Sequence, residues 1–162
     1  MIFGFHHCLM DEKGRVAFPA ALRPALAPRA LVAASTDNDG DDVVDRFVIT
    51  QSLYDPCLVG MTEADFQAQA HKVAALPPSN PAVAAYKRFV IASASVVTID
   101  KAGRVNVPKE LREHAGLDRD CVWLGVIDKI ELWSKPRFDE LRKKHADEDL
   151  AATREFLAGH GL

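Results

Sequence analysis

The chain has 162 residues, 48% hydrophobic and 27% charged, with a formal net charge of −3 and a pI of about 6.1. This size and balance suit one globular unit or two small intertwined halves. They exclude a chain-wide basic field, so polyanion binding would have to come from local patches or from an assembly that concentrates them. No apolar run reaches the roughly 18 residues of a membrane span.

The N-terminal stretch MIFGFHHCLM lacks the basic start and long apolar run of a secretory signal, so the chain is expected to stay in the cytoplasm. Cys8 and Met10 alternate with Leu9, as in a strand with one buried face. His6 and Cys8 share one face of that strand and His7 takes the other. No second cluster at ligand spacing follows, so no metal or other cofactor is expected. DEKGR at 11–15 then turns the chain. Asp11 can cap its own turn, Gly14 supplies positive φ, and Arg15 opens the outgoing strand. Val16 and Phe18 alternate in that strand. Pro19 opens a helix that Pro24 keeps short. The segment 35–45, STDNDGDDVVD, is too acidic to enter a core and reads as an exposed, mobile loop. It lacks the Glu an EF-hand needs at its twelfth position.

Strands are predicted at 46–51 and 56–61, followed by a helix capped by Thr62. LPPSNP at 76–81 is a break, with a new helix starting near Asn80. AVAAYKRFVIASA is apolar around much of its circumference and should pack against both halves. Val97 and Ile99 then repeat the opening strand, and DKAGR at 100–104 repeats the turn. Val105 and Val107 alternate, Pro108 opens a helix, and Gly116 ends it. Strands follow at 121–127 and 129–133. Ser134 is a plausible cap for a charged C-terminal helix with pairs Asp139–Lys143 and Glu140–Lys144, and Phe138, Leu141 and His145 on one stripe. The last residues should fray.

The repeat is the strongest signal. DEKGRVAFPAALR at 11–23 and DKAGRVNVPKELR at 100–112 agree at seven of thirteen positions. The chain divides accordingly into repeat one (1–76, with the insertion 35–45), a linker and connecting helix (77–94), repeat two (95–145) and a helical tail (146–162). Taken alone, D-x-x-G-R allows two readings. One is a hairpin turn closed by a surface ion pair of little energetic weight. The other is an arginine, held in direction by its aspartate, presented to phosphates or base edges. Lys13 and Lys101 add positive charge, though not at equivalent positions. Arg23 and Arg112, one helix away, could reach phosphate or pair with a turn aspartate or a helix carboxylate.

Other candidates are weaker. Cys8, Cys57 and Cys121 are odd in number and widely spaced, which suits a reducing compartment; Cys57 and Cys121 read as core. His71, His114, His145 and His160 form no triad order. Trp123 and Trp133 read as core or interface aromatics, or as a stacking platform for single strands. There is no Gly-rich phosphate loop, and no enzyme is expected.

Together, MIFGF and DEKGRVAFPAALR in the first half, and RFVIASA, DKAGRVNVP, HAGL and VIDKIELWSK in the second, resemble the MraZ family. The resemblance covers about residues 1–145. It implies an α+β fold in which two AbrB/SpoVT-like swapped-hairpin repeats form one pseudo-two-fold β-barrel with flanking helices. It further implies ring-shaped homo-oligomers and a nucleoid-associated transcriptional regulator. Such a regulator binds short direct repeats in promoter DNA upstream of the division and cell-wall gene cluster. By this resemblance the DNA-binding residues are Lys13, Arg15, Lys101 and Arg104. Asp11, Gly14, Asp100 and Gly103 form the turns and orient the arginines. Ala102 stands where the first copy has Lys13, Ser93 stands where the family often has Gly, and the acidic insertion is unusual. It is expected on the face away from DNA. The alternative is a structural or protein-interaction ring, or an antitoxin-like partner module, whose turns serve only folding.

Overall fold

The structure is a computed structural model describing residues 1–26, 46–147 and 150–161. The acidic segment 35–45 lies outside the described residues. Eight strands and several helices make an α+β fold, as the sequence leads one to expect. Strand β1 spans Ile2–Leu9 and β2 Arg15–Ala17, followed by a 3-10 helix at Ala20–Ala25 that contains Pro24. Next come β3 (Arg46–Gln51), β4 (Leu58–Met61) and α1 (Glu63–Ala74). Thr62 caps α1 by accepting the Asp65 amide at 3.0 Å, while its hydroxyl donates to the Asp65 carboxylate at 2.7 Å. This reciprocal capping is worth about 1 kcal/mol.

Helix α2 (Pro81–Tyr86) starts where expected, with Asn80 accepting the Ala82 amide and Pro81 in the first turn. It does not continue as a plain α-helix. Residues Lys87–Ile91 form a π turn, closed by Ala92 N–H donating to Lys87 O at 2.9 Å. The Thr50 hydroxyl of β3 donates to the Val90 carbonyl at 2.5 Å and so ties this turn to the sheet. Strands β5 (Ser95–Thr98) and β6 (Arg104–Asn106) lead to α3 (Lys109–Ala115). Pro19 and Pro108 stand at the cap positions of their helices rather than inside the first turn. Gly116 ends α3 in the left-handed region at φ 59°.

The chain closes with β7 (Asp120–Ile127), β8 (Lys129–Ser134), α4 (Lys135–Asp147) and a separate α5 (Ala151–Ala158). The single C-terminal helix of the sequence reading is therefore two. In α4 Asp139 pairs backward with Lys135. Phe138 is buried and Leu141 packs beside it, but His145 is exposed.

All ladders are antiparallel. The larger sheet has the order β1-β7-β8-β4-β3-β5, and β2 pairs with β6 in a separate ribbon. Exchanging each strand for its counterpart in the other repeat returns the same order reversed. Each repeat also lends a strand to the other: β1 pairs with β7 and β5 with β3. The sheet is not a closed barrel. Its edges are β1 and β5, which meet the ribbon only through the single bridges Met10↔Val16 and Ile99↔Val105. The D-x-x-G-R turns redirect the chain after that one bridge.

The main core lies between ribbon and sheet. Val16 and Val105 face each other across the ribbon and are 0% exposed. Phe18 packs on Trp123 and Phe47, with ring centroids 5.1 and 5.6 Å apart. Trp123 Nε1–H donates to the Ala17 carbonyl at 3.0 Å. A smaller cluster under α4 holds Cys57, Trp133 and Phe138. Both tryptophans are buried, so neither offers an open stacking surface. Val105→Ala should cost about 2 kcal/mol, from lost transfer energy plus the cavity left behind. Urea unfolding at fixed protomer concentration checks this, with an unchanged m-value expected.

Candidate functional site

The two repeated turns close in the same way. In the first, Asp11 Oδ1 accepts the amides of Lys13 (2.9 Å) and Arg15 (3.0 Å), and Arg15 Nε–H donates to Oδ2 at 2.7 Å. In the second, Asp100 Oδ1 accepts the amides of Ala102 and Arg104, both at 2.9 Å. Arg104 donates to Oδ2 through Nε at 3.2 Å and Nη2 lies 3.1 Å away. Gly14 and Gly103 sit at φ 78° and 73°, a backbone region that only glycine enters at little cost. Both carboxyls are held below the ordinary Asp value, first by the backbone N–H of Arg15 or Arg104 and then by the arginine side chain. Asp as turn cap, Gly at positive φ and Arg beside the Asp, as read from the sequence, are the features of this geometry.

Period-two alternation in the ribbon does the rest. With Val16 and Val105 turned inward, Arg15 and Ala17 of β2 and Arg104 and Asn106 of β6 take the outer face. Arg15 is opposite Asn106, and Arg104 is opposite Ala17. The two arginine positions are thus roughly 7 Å apart along the ribbon, two residues of strand rise. Their side chains keep 33% and 37% exposure. Lys13 and Lys101 are exposed in the turns. The structure thus gathers all four basic candidates at one ribbon. It adds Asn106, whose place two residues after Arg104 in a strand was the available signal.

Of the two helix arginines, Arg112 meets a carbonyl and a glycine and, among the described residues, neither a turn aspartate nor a helix carboxylate. Arg112 crosses to the other repeat. Its Nε–H donates to the Val107 carbonyl at 3.0 Å, and its guanidinium lies against Gly14, where a β-carbon would fall 2.6 Å from Cζ. Gly14 is buried as a result, with its carbonyl accepting Val107 N–H at 3.0 Å. In the second turn, a β-carbon at Gly103 would find its nearest neighbour, Arg23 Nη2, at 3.9 Å.

The remaining candidates carry little chemistry. Burial pushes the thiols of Cys8 and Cys121 up to about 12, and Cys57 is raised by the same cause. A thiol so shifted is a poor nucleophile. Among the described residues no group of three or more His, Cys, Asp or Glu side chains could hold a metal ion. No helix among them is long and apolar enough to cross a membrane.

Residues 90–159 match the family described as "MraZ protein, putative antitoxin-like". The chain is 33% identical to a protein of Saccharopolyspora erythraea named transcriptional regulator MraZ, over 98% of this chain and 99% of that one. It is 31% identical to a protein of the same name from Clostridium botulinum, over 94% of each chain. A third, from Ligilactobacillus salivarius, is 34% identical over 86% of this chain and 85% of its own.

The turn geometry leads to two expected outcomes. Gly14→Ala and Gly103→Ala both place a side chain at positive φ, a cost of about 1–2 kcal/mol. Gly14→Ala must also displace Arg112, so it should lose more stability in urea unfolding than Gly103→Ala. Replacing Arg112 with Ala as well should bring the Gly14→Ala loss down toward the Gly103 value, and equal losses for the two single variants would contradict this packing. The second outcome concerns acid. A carboxyl whose folded pKa is depressed adds stability above its unfolded value, and that stability is lost as pH falls. Thermal melts should therefore separate wild type from Asp11→Asn/Asp100→Asn at pH 6. The gap should close progressively below about pH 4.

Proposed function

The chain belongs to the MraZ family, and from that membership we propose that it is a DNA-binding transcriptional regulator whose contact surface is the outer face of the β2/β6 ribbon with its two turns. The observation that carries this reading is the pairing of Arg15 with Asp11 and of Arg104 with Asp100 on one solvent-facing ribbon. Each arginine is already held in direction before any ligand arrives, which lowers the ordering cost of binding. A two-stranded ribbon is also one of the shapes the major groove admits. Arg15, Arg104 and Asn106 then face base edges or phosphates, while Lys13 and Lys101 face the flanking backbone.

The protomer's net charge of −3 requires that the basic edge be local and be multiplied. A ring of copies does so, lining up one ribbon per protomer. Self-assembly is supported by the apolar surface left open along β1 and the β7 hairpin. Phe3 is 80% exposed there and Phe5 62%, with Ile127 at the hairpin tip. In this proposal the two repeats act as swapped hairpins completed across the single bridges, and the ring reads short direct repeats in promoter DNA. The target is the division and cell-wall cluster that the family resemblance indicates.

The test is a gel-shift titration on DNA upstream of the chain's own gene. Wild-type affinity should fall steeply with salt through counterion release. Arg15→Ala/Arg104→Ala should weaken binding by roughly 100-fold or more, from two contacts at about 1–3 kcal/mol each. Its oligomer mass by light scattering should stay that of wild type. Unchanged affinity would sink the assignment. Loss of assembly or stability, with no preference for this DNA in the wild type, would favour the protein-interaction ring.

A further inference from the structure

Granting the DNA-facing ribbon, one arginine outside it has an unexplained placement. We propose that Arg112 is a positioning residue: from the second repeat it sets the direction in which the first turn presents Lys13 and Arg15, without itself meeting DNA. Three contacts define the role. The guanidinium plane covers the Cα of Gly14, so closely that a β-carbon would collide with Cζ, Nε and Nη1. Nε–H donates to the Val107 carbonyl at 3.0 Å. Val107 in turn donates its own N–H to the Gly14 carbonyl at 3.0 Å. Arg112, Val107 and Gly14 thus form a closed loop of contacts that joins the first turn to the start of α3.

An open cleft of about 600 Å3 lies beside this loop, lined by Asp11, Glu12, Arg112 and Arg119. It gives the turn room to swing once the guanidinium is gone. The role needs a flat group with a donor at Nε. A lysine keeps the charge but has neither the plane nor the fixed fork. In the second turn the Gly103 carbonyl likewise accepts a backbone N–H, from Phe18 at 2.8 Å, and Arg23 Nη2 lies 3.9 Å from where a β-carbon at Gly103 would stand, so the close guanidinium cover is particular to Gly14.

The test compares Arg112→Lys and Arg112→Ala, with Arg15→Ala as the control for the ribbon itself. Each is titrated against the chain's own upstream DNA and against a scrambled duplex of equal length, over a salt series. Both Arg112 variants should lower the ratio of specific to scrambled affinity roughly 10-fold, the effect of one misplaced base contact. Scrambled binding and the slope of log K against log salt should stay as in wild type. Recovery of the wild-type ratio by Arg112→Lys would overturn the proposal. So would a slope reduced by about one in Arg112→Ala, because both point to a phosphate contact. If Arg112→Ala does not fold, Arg112→Lys decides. If Arg15→Ala leaves DNA binding intact, the DNA reading fails rather than this one. Hydrogen exchange at the Val107 amide then settles Arg112: faster exchange in Arg112→Lys supports the contact loop, and unchanged exchange overturns it.

Discussion

Val16 against Val105 is the contact on which the molecule turns. The two side chains meet across a two-stranded ribbon only three residues long and are fully withdrawn from water. Strand alternation then dictates the opposite face. Once these two valines point into the core, Arg15, Ala17, Arg104 and Asn106 must point out of it. The same packing that closes the interior over Trp123 and Phe18 therefore sets the face on which the arginines stand. Stability and presentation of the arginines are consequences of one arrangement.

What the sequence reveals depends on how far each interaction reaches along the chain. The turns are legible because Asp11, Gly14 and Arg15 complete one another within five residues. The caps at Thr62, Asn80 and Gly116 are legible for the same reason. The exchange of β1 and β5 between repeats is different. Nothing in IFGFHHCL says that its partner is DCVWLGVI, more than a hundred residues on, rather than a nearer strand. Arg112 shows the same limit in a side chain. Its helical position offered a carboxylate or a phosphate as partners, whereas the fold carries it to a glycine and a carbonyl. The π turn at Lys87–Ile91 was hidden because its apolar pattern is as good as that of an α-helix. Its tie to the sheet is tertiary, through the Thr50 hydroxyl on the Val90 carbonyl.

The two turns are alike in backbone and unlike in charge. Glu12 and Lys13 occupy the first where Lys101 and Ala102 occupy the second. Counting the Asp–Arg pair as neutral, the first turn has no net charge and the second has a single positive one. The first turn is the one backed by Arg112. The Arg112 contact and the net positive charge therefore fall on different copies rather than on both.

The reversible strand order has a consequence for how this protein can change. A dimer assembled from two identical single-repeat chains must accept every substitution twice, once at each symmetry-related place. Joining both repeats in one chain removes that obligation. A glutamate can enter one turn and a lysine the other, and the shared valine contact still holds the two together. Duplication followed by fusion thus preserves the geometry of a symmetric pair while freeing its two ends to be selected separately.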